Sequence, residues 1–235
     1  MSSVAVLIVG DEILKGEIDD ENAPYLLHEL REAGVPVERI VTVPDRRDLI
    51  VEELRRLRGL ADAVVVSGGL GPTHDDVTRL AVAEALGTDL VVHPEAEARV
   101  RGFYAEKVTE SELGMAQMPR GARLVDGLRT KTFGFELDGV YALPGVPFLF
   151  RDIVDGLKAT FAGQPVHRRV VETQRREGQI APCLAAAQER SPDVVIGSYP
   201  IYESGGWRVR VVLRCVDADR LDEVLREVET GIGSA

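Results

Sequence analysis

The sequence predicts an α/β fold, a mainly parallel sheet covered by helices on both faces, followed by a smaller α+β domain. Short β-branched or apolar runs alternate with amphipathic stretches from residue 4 to residue 161. Beyond GQP at 163–165 the order changes to strand, helix, strand, strand, helix. That is most of a ferredoxin-like split βαβ pattern without an obvious last strand. Domains are therefore expected at 1–163 and 166–235, with GQP as the linker.

The elements follow in order. VAVLIV, 4–9, reads as a buried strand, and 22–33 as a helix ending at Gly34. VPVERIVTV, 35–43, alternates enough for a strand, and Leu49, Ile50, Leu54 and Leu57 space a helix over 45–57. AVVVS, 63–67, is a strand, and 77–86 a helix capped by Gly87. LVVH at 90–93, a helix near 95–107, a helical piece near 111–117 and the strand VYAL at 140–143 come next. A helix from about Pro147 to Phe161 closes the first domain. The second reads as strand 166–173, helix 177–190, strands 194–198 and 207–214, and helix 217–229, with SGG at 204–206 turning a hairpin.

Composition narrows the function. The formal net charge of −11 disfavours nonspecific nucleic-acid or membrane binding. Residues 1–164 hold 18 basic and 28 acidic side chains, so the first part carries nearly all of the excess. A phosphorylated ligand there calls for a metal cation. Cys183 and Cys215 stand far apart without CxxC or Cys/His clustering, which argues against zinc and against a secreted disulfide framework. His28, His93 and His167 have no metal-ligand spacing with one another. No apolar run reaches the ~18 residues of a membrane span, and the N-terminal run is too short for a signal peptide. A soluble cytoplasmic protein is expected.

Four segments could carry chemistry. In SGGLGPTHDDVT, 67–78, Gly68, Gly69 and Gly71 allow a sharp turn with N–H groups facing a ligand, and the following helix adds a positive dipole end. The spacing is neither a Walker A loop nor a dinucleotide fingerprint. Asp75 and Asp76 supply hard oxygens, and Mg2+ binds through one or two carboxylates plus substrate phosphates. A tight turn with an aspartate N-cap accounts for the same residues. Asp11 and Glu12 stand just beyond the first strand, where a solvated acidic loop is the alternative; Asp45 could equally cap the next helix. In YALPGVPFLF, 141–150, the amides near Gly145 and Val146 could meet an anion, or form an ordinary strand-to-helix turn. His74 lies inside the glycine loop.

Taken together, these segments resemble the MoaB/Mog-like molybdopterin-binding domain as it occurs in CinA (competence/damage-inducible) proteins. Gly10, Asp11 and Glu12 match its opening Gly-Asp-Glu; Gly16 and Asn22-Ala23 match its next motif; 67–78 matches its central S/TGGLGPTxDDxT; and 143–147 matches its LPGVP. The match runs from about residue 4 to 160. IGSYP, 196–200, with the strand after it, resembles the small domain that follows in CinA-type proteins and in some FAD synthases. Two positions depart: RTKTFGF at 129–135 keeps only Gly134 and Phe135 of a GTAPGF segment, and Asp20 stands where Asn is usual. Arg129 and Lys131 could contact phosphate instead.

The resemblance implies a three-layer α/β/α molybdopterin-binding fold and the small α+β domain, without a C-terminal deamidase domain. For function it implies metal-dependent hydrolysis of an ADP-ribose-like nucleoside diphosphate derivative. Binding or adenylylation of a pterin phosphate is the alternative, and a noncatalytic nucleotide-binding or regulatory module the third. On this reading Mg2+ or Co2+ is held by Asp76, Asp75 and Asp11, and Asp76, Asp45 and Glu12 are catalytic, Asp45 or Glu12 orienting water. Gly10, Ser67, Gly68, Gly69, Gly71, Thr73, Thr78, Gly145 and Lys131 bind substrate. A homo-oligomer is implied, with dimer or trimer left open.

Overall fold

A computed structural model of the protein describes residues 3–161, 163–203 and 206–234. The chain divides into two compact units, one ending at Gly163 and the other beginning at Gln164.

The first unit is built on β1 (Val4–Val9), β2 (Val37–Val43), β3 (Ala63–Ser67), β6 (Arg123–Asp126), β7 (Phe133–Leu137) and β8 (Val140–Leu143), in the order β2-β1-β3-β8-β7-β6. The pairings β1–β2, β1–β3 and β3–β8 are parallel; β7 runs antiparallel to both β8 and β6. Every residue of β1 is buried, as a central strand covered on both faces must be. Strand periodicity then sorts the core. Ala5, Leu7 and Val9 join Val64, Val66, Val140 and Ala142 under α3 (Arg47–Arg58) and α4 (Thr78–Leu86). Val4, Val6 and Ile8 join Val65, Tyr141 and Leu143 under α2 (Asn22–Glu32) and α7 (Pro147–Leu157). The helices answer with apolar stripes at three- and four-residue spacing: Ala23, Leu26 and Leu30 on α2, Ile50, Leu54 and Leu57 on α3, Phe150, Ile153, Val154 and Leu157 on α7. The result is a three-layer α/β/α arrangement.

Sequence periodicity missed four pieces. A four-residue helix, α1 (Asp11–Leu14), follows β1 directly. LVV at 90–92 is a strand, β4 (Leu90–Val92), yet it pairs antiparallel with β5 (Gln117–Pro119) in a separate ribbon rather than joining the main sheet. The stretch 115–139 contains β5, β6 and β7. Pro119, Gly121, Gly127 and Gly134 interrupt the apolar pattern there. Gly134 marks close backbone approach: a Cβ on it would stand 2.4 Å from the Ala142 carbonyl oxygen of β8. Between these ribbons lie α5 (Pro94–Tyr104), a 3-10 turn at Ala105–Lys107, and α6 (Glu110–Gly114).

The second unit contains β9 (His167–Thr173), α8 (Glu177–Arg190), β10 (Val195–Glu203), β11 (Gly206–Cys215) and α9 (Ala218–Ser234). Its antiparallel sheet has the order β10-β11-β9. Val209, Val211, Leu213 and Cys215 pack inward against Ile180 and Ala187 of α8 and Leu221, Val224 and Val228 of α9. The expected hairpin pairs as far as Glu203 with Gly206, and its turn residues 204 and 205 lie outside the described residues. Both β10 and α9 run several residues further than their sequence patterns suggested.

Candidate functional site

Three loops meet at the C-terminal ends of the parallel strands, where open α/β sheets bind ligands. After β1, the Gly10 amide donates to the Val43 carbonyl (3.1 Å) and the Asp11 amide to Asp45 Oδ2 (2.8 Å). That second bond ties the end of β1 to the turn after β2. The Glu12 side chain folds back over Gly10, whose hypothetical Cβ would lie 2.7 Å from Glu12 Oε1. Lys15, one turn on, pairs with Asp11 at 2.9 Å and holds its carboxyl below the usual carboxylate range.

After β3 the chain turns back on itself. Gly68 has φ +106°, and a Cβ there would stand 2.1 Å from the Val9 carbonyl oxygen. Gly69 has φ +66°, and its Cβ would meet Thr78 Oγ1 at 2.2 Å. Both positions require glycine for conformation and for space. The Thr78 amide donates to the Gly69 carbonyl (3.2 Å), which sets the loop against the start of α4.

The tandem aspartates have separate surroundings. Asp76 turns inward: its Oδ1 accepts from the Gly71 amide (2.6 Å), and its Oδ2 from the Thr73 amide (2.8 Å) and hydroxyl. Beneath it Arg79, only 9% exposed, donates to the carbonyls of Leu70 and Gly71 (2.7 Å to Gly71). Burial lowers the Arg79 pKa and the nearby Asp76 charge opposes that. Carboxylate and guanidinium together hold the loop from within. Asp75 remains exposed, and its carboxyl is held below the usual range.

Asp75 belongs electrostatically with the first loop. Burial pushes the Asp45 carboxyl upward; the Asp11 amide works against this, and the charges of Glu12, Asp11 and Asp75 reinforce it. Three acidic groups, two from the loop after β1 and one from the loop after β3, therefore bear on one partly buried carboxyl after β2.

The third loop follows β8. A Cβ on Gly145 would stand 3.2 Å from Gly68 Cα, so the two turns touch. Asn22 fastens them: its Nδ2 donates to Ser67 Oγ (2.9 Å) and to the Gly145 carbonyl (2.7 Å). Asp20, just ahead of α2, accepts the Asn22 amide (2.9 Å) and the Ala23 amide (3.1 Å), so that Asn22 is held in place. Asn22 Oδ1 and Thr78 Oγ1 are buried and have no hydrogen-bond partner among the described residues.

The residues singled out by sequence thus fall into groups. Gly10, Asp11, Glu12, Asp45 and Asp75 form the acidic side; Ser67, Gly68, Gly69, Thr78 and Gly145 form the turn contact; Gly71, Thr73 and Asp76 satisfy one another. The Gly71 and Thr73 amides are already given to Asp76, whereas those of Gly69, Leu70, Gly145 and Val146 have no acceptor among the described residues. Lys131 is exposed in the loop between β6 and β7, and no ion pair or hydrogen bond joins it to the glycine loop among the described residues. Arg129, in that same loop, pairs with Asp155 (2.9 Å) and Asp152 (3.5 Å) of α7. Sequence reasoning gave no role to Asn22 or Arg79. Both lie within the matched motif stretches or directly beside them, but only the fold reveals what they hold.

The donor set suits a hard divalent ion in kind, being carboxylate oxygen throughout. Among the described residues no three His, Cys, Asp or Glu side chains form a ready metal cage. Asp11 and Asp75 would hold such a cation, which would supply positive charge for a bound phosphate. Asp76, with both oxygens committed to its loop, is the least available of the three.

A three-layer α/β/α unit with a glycine turn, a second turn docked on it and acidic loops at one sheet edge defines the MoaB/Mog-like class. The chain belongs to the family described as the probable molybdopterin-binding domain, which it matches over residues 5–163. Residues 165–234 match the middle domain of FAD synthase. A protein of Aeropyrum pernix is 37% identical over 238 residues, covering 94% of this chain and 88% of its own. A CinA-like protein of Citrifermentans bemidjiense is 40% identical over 153 residues, covering 62% of this chain and 37% of its own. The crystal structure of the protein CinA from Thermoplasma acidophilum, titled as of unknown function, is 32% identical, has a TM-score of 0.64, and covers 68% of this chain and 98% of its own. No helix among the described residues is long and apolar enough to cross a membrane.

Proposed function

We propose that the first unit binds a phosphorylated pterin or nucleotide between the glycine turn and the acidic loops, and with Mg2+ or Co2+ hydrolyses an ADP-ribose-like nucleoside diphosphate derivative. The observation that carries this reading is the placement of Asp45, a partly buried carboxyl that takes the Asp11 amide at 2.8 Å and so stands beside the acids of the first loop. Such an arrangement costs the protein stability unless a cation is shared with a ligand. A divalent ion there supplies charge neutralisation and Lewis acidity to the pyrophosphate.

The remaining work falls to the chain itself. The free amides of Gly69 and Leu70, and of Gly145 and Val146 ahead of α7, are donors for phosphate oxygens. Asp76 and Arg79 keep the first pair in position, and Asn22 keeps the second turn against it. Asp45, whose pKa is raised, is suited to accept a proton from attacking water. Glu12, folded over Gly10, orients that water.

The test is incubation with ADP-ribose, FAD and NADH, with and without Mg2+ or Co2+, followed by assay for AMP. Metal-dependent AMP release that disappears in Asp45→Asn supports hydrolysis. A second reading, pterin phosphate binding or adenylylation, is favoured by the family match over 5–163. Tight pterin binding with no AMP from any substrate would select it.

A further inference from the structure

In a complete split βαβ fold a fourth strand lies beside the first. In the second unit β9 pairs only with β11, from Val209 opposite Thr173 to Cys215 opposite His167. Among the described residues nothing extends the sheet past β9. An open edge of this kind offers unpaired amides and carbonyls to another strand. Proline and bulges are common protections, and β9 has neither: its register with β11 is unbroken over seven residues.

The side chains indicate what pairs there. On the sheet face away from α8 and α9, β9 displays Arg168, Val170 and Glu172, opposite Arg214, Val212 and Arg210 of β11. Val170 is 40% exposed, Arg168 makes no ion pair among the described residues, and Glu172 already pairs within its own sheet with Arg208 (3.0 Å) and Arg210 (2.8 Å), so a partner's Arg168 would join that cluster rather than meet a lone carboxylate. Suppose β9 pairs antiparallel with β9 of a second copy, keeping the helices of both copies on one face. The two-fold axis must then pass beside a single residue, because opposed residues share a face. Centred on Val170, the pairing sets valine against valine and each Arg168 against the partner's Glu172. Centred one residue earlier, it sets Arg169 against itself; one later, it leaves Glu172 opposite valine and Arg168 opposite Gln174. Only the Val170 register matches charge and apolar surface together.

We propose that the outer edge of β9 is a self-association surface, joining two copies antiparallel across Val170, with Arg168 opposite the partner's Glu172, into one six-stranded sheet. Two seven-residue edges bury less than the ~1,600 Å2 of a standard interface, so the association is concentration-dependent. This inference is independent of the chemistry of the first unit.

The full-length chain tests it. Sedimentation velocity across a wide concentration range should show a monomer–dimer equilibrium. Val170→Cys should give a reducible dimer under mild oxidation, because directly opposed strand residues have Cα atoms within disulfide range, whereas the wild type, with Cys215 buried and Cys183 half-buried, should not. Arg168→Glu should weaken association at least tenfold. A wild-type protein monomeric at every concentration overturns the proposal. So does a dimer in which Val170→Cys fails to cross-link or Arg168→Glu associates normally. The cross-link and the charge reversal both fall at exposed positions of β9, so neither should disturb folding.

Discussion

Two sets of carboxylates stand in contrast within the first unit: Asp152 and Asp155 on α7, and Asp45 with Asp11, Glu12 and Asp75 on the loops after β1, β2 and β3. The first set is surrounded by donors. Asp152, 3% exposed, accepts the amides of Arg129 (3.0 Å) and Thr130 (2.8 Å) and the Thr130 hydroxyl (2.7 Å), which keep its pKa low. Burial works to raise Asp155, but Tyr25, Lys158 and Arg129 override it and bring its pKa down to about 2. In the second set the acids crowd one another, with Lys15 as the counter-charge beside Asp11. Satisfied carboxylates fix a loop, here 127–132 between β6 and β7. Crowded ones keep charge in reserve for something that arrives from solution.

Substitutions at the two sets should therefore separate activity from stability. The largest effect is expected for Asp45→Asn, which keeps the acceptor for the Asp11 amide but loses the charge. Metal-dependent AMP release should fall by ~100-fold or more, the scale of a lost acid–base group. Equal turnover in this variant would place the chemistry elsewhere. Next comes Asp152→Ala, which strands two backbone amides and a hydroxyl. It should lower Tm by roughly 5–10 °C in a thermal melt, with the metal dependence of any turnover retained.

Asp155→Asn should be milder and pH-dependent. The folded pKa of about 2 lies below the ordinary 3.8, so the contribution is present above pH 4 and is lost as pH falls towards 2. Unfolding free energies from denaturant titrations of wild type and variant should differ by ~1 kcal/mol at pH 7 and converge by about pH 2. The smallest effect has the opposite sign. Because the Asp45 pKa is raised, its ionised form costs the metal-free fold, and that cost appears only above its ordinary 3.8. Asp45→Asn should gain ~0.5 kcal/mol at pH 7 without metal and nothing near pH 3. A loss of stability at pH 7 would mean that Asp45 is a structural acceptor like Asp152.

Much of the fold was legible in the sequence. β1, β3, β8 and helices α2, α3, α4 and α7 stand where their periodicity put them, because strands buried on both faces and helices buried on one leave strong patterns. The strands at 117–137 were not legible, since their glycines and prolines serve turns and close backbone contacts that no local pattern reveals. The same division runs through the site. The glycine turn and the acidic loops could be found as motifs. That Asp76 faces inward to Gly71 and Thr73 while Asp75 faces the cluster could not, because neighbouring residues with the same chemistry differ only in direction.

The sequence by itself determined the layered architecture, the turn at Gly68 and Gly69, and the supply of acids around it, all of which rest on local backbone preference and burial period. Tertiary structure alone decided which acids meet. It drew Asp45, Asp11 and Asp75 from three separate loops, fastened Gly145 to Ser67 through Asn22, and set Arg79 beneath the turn. These are contacts between residues far apart in the chain or turned towards one another only by packing, and no spacing rule encodes them.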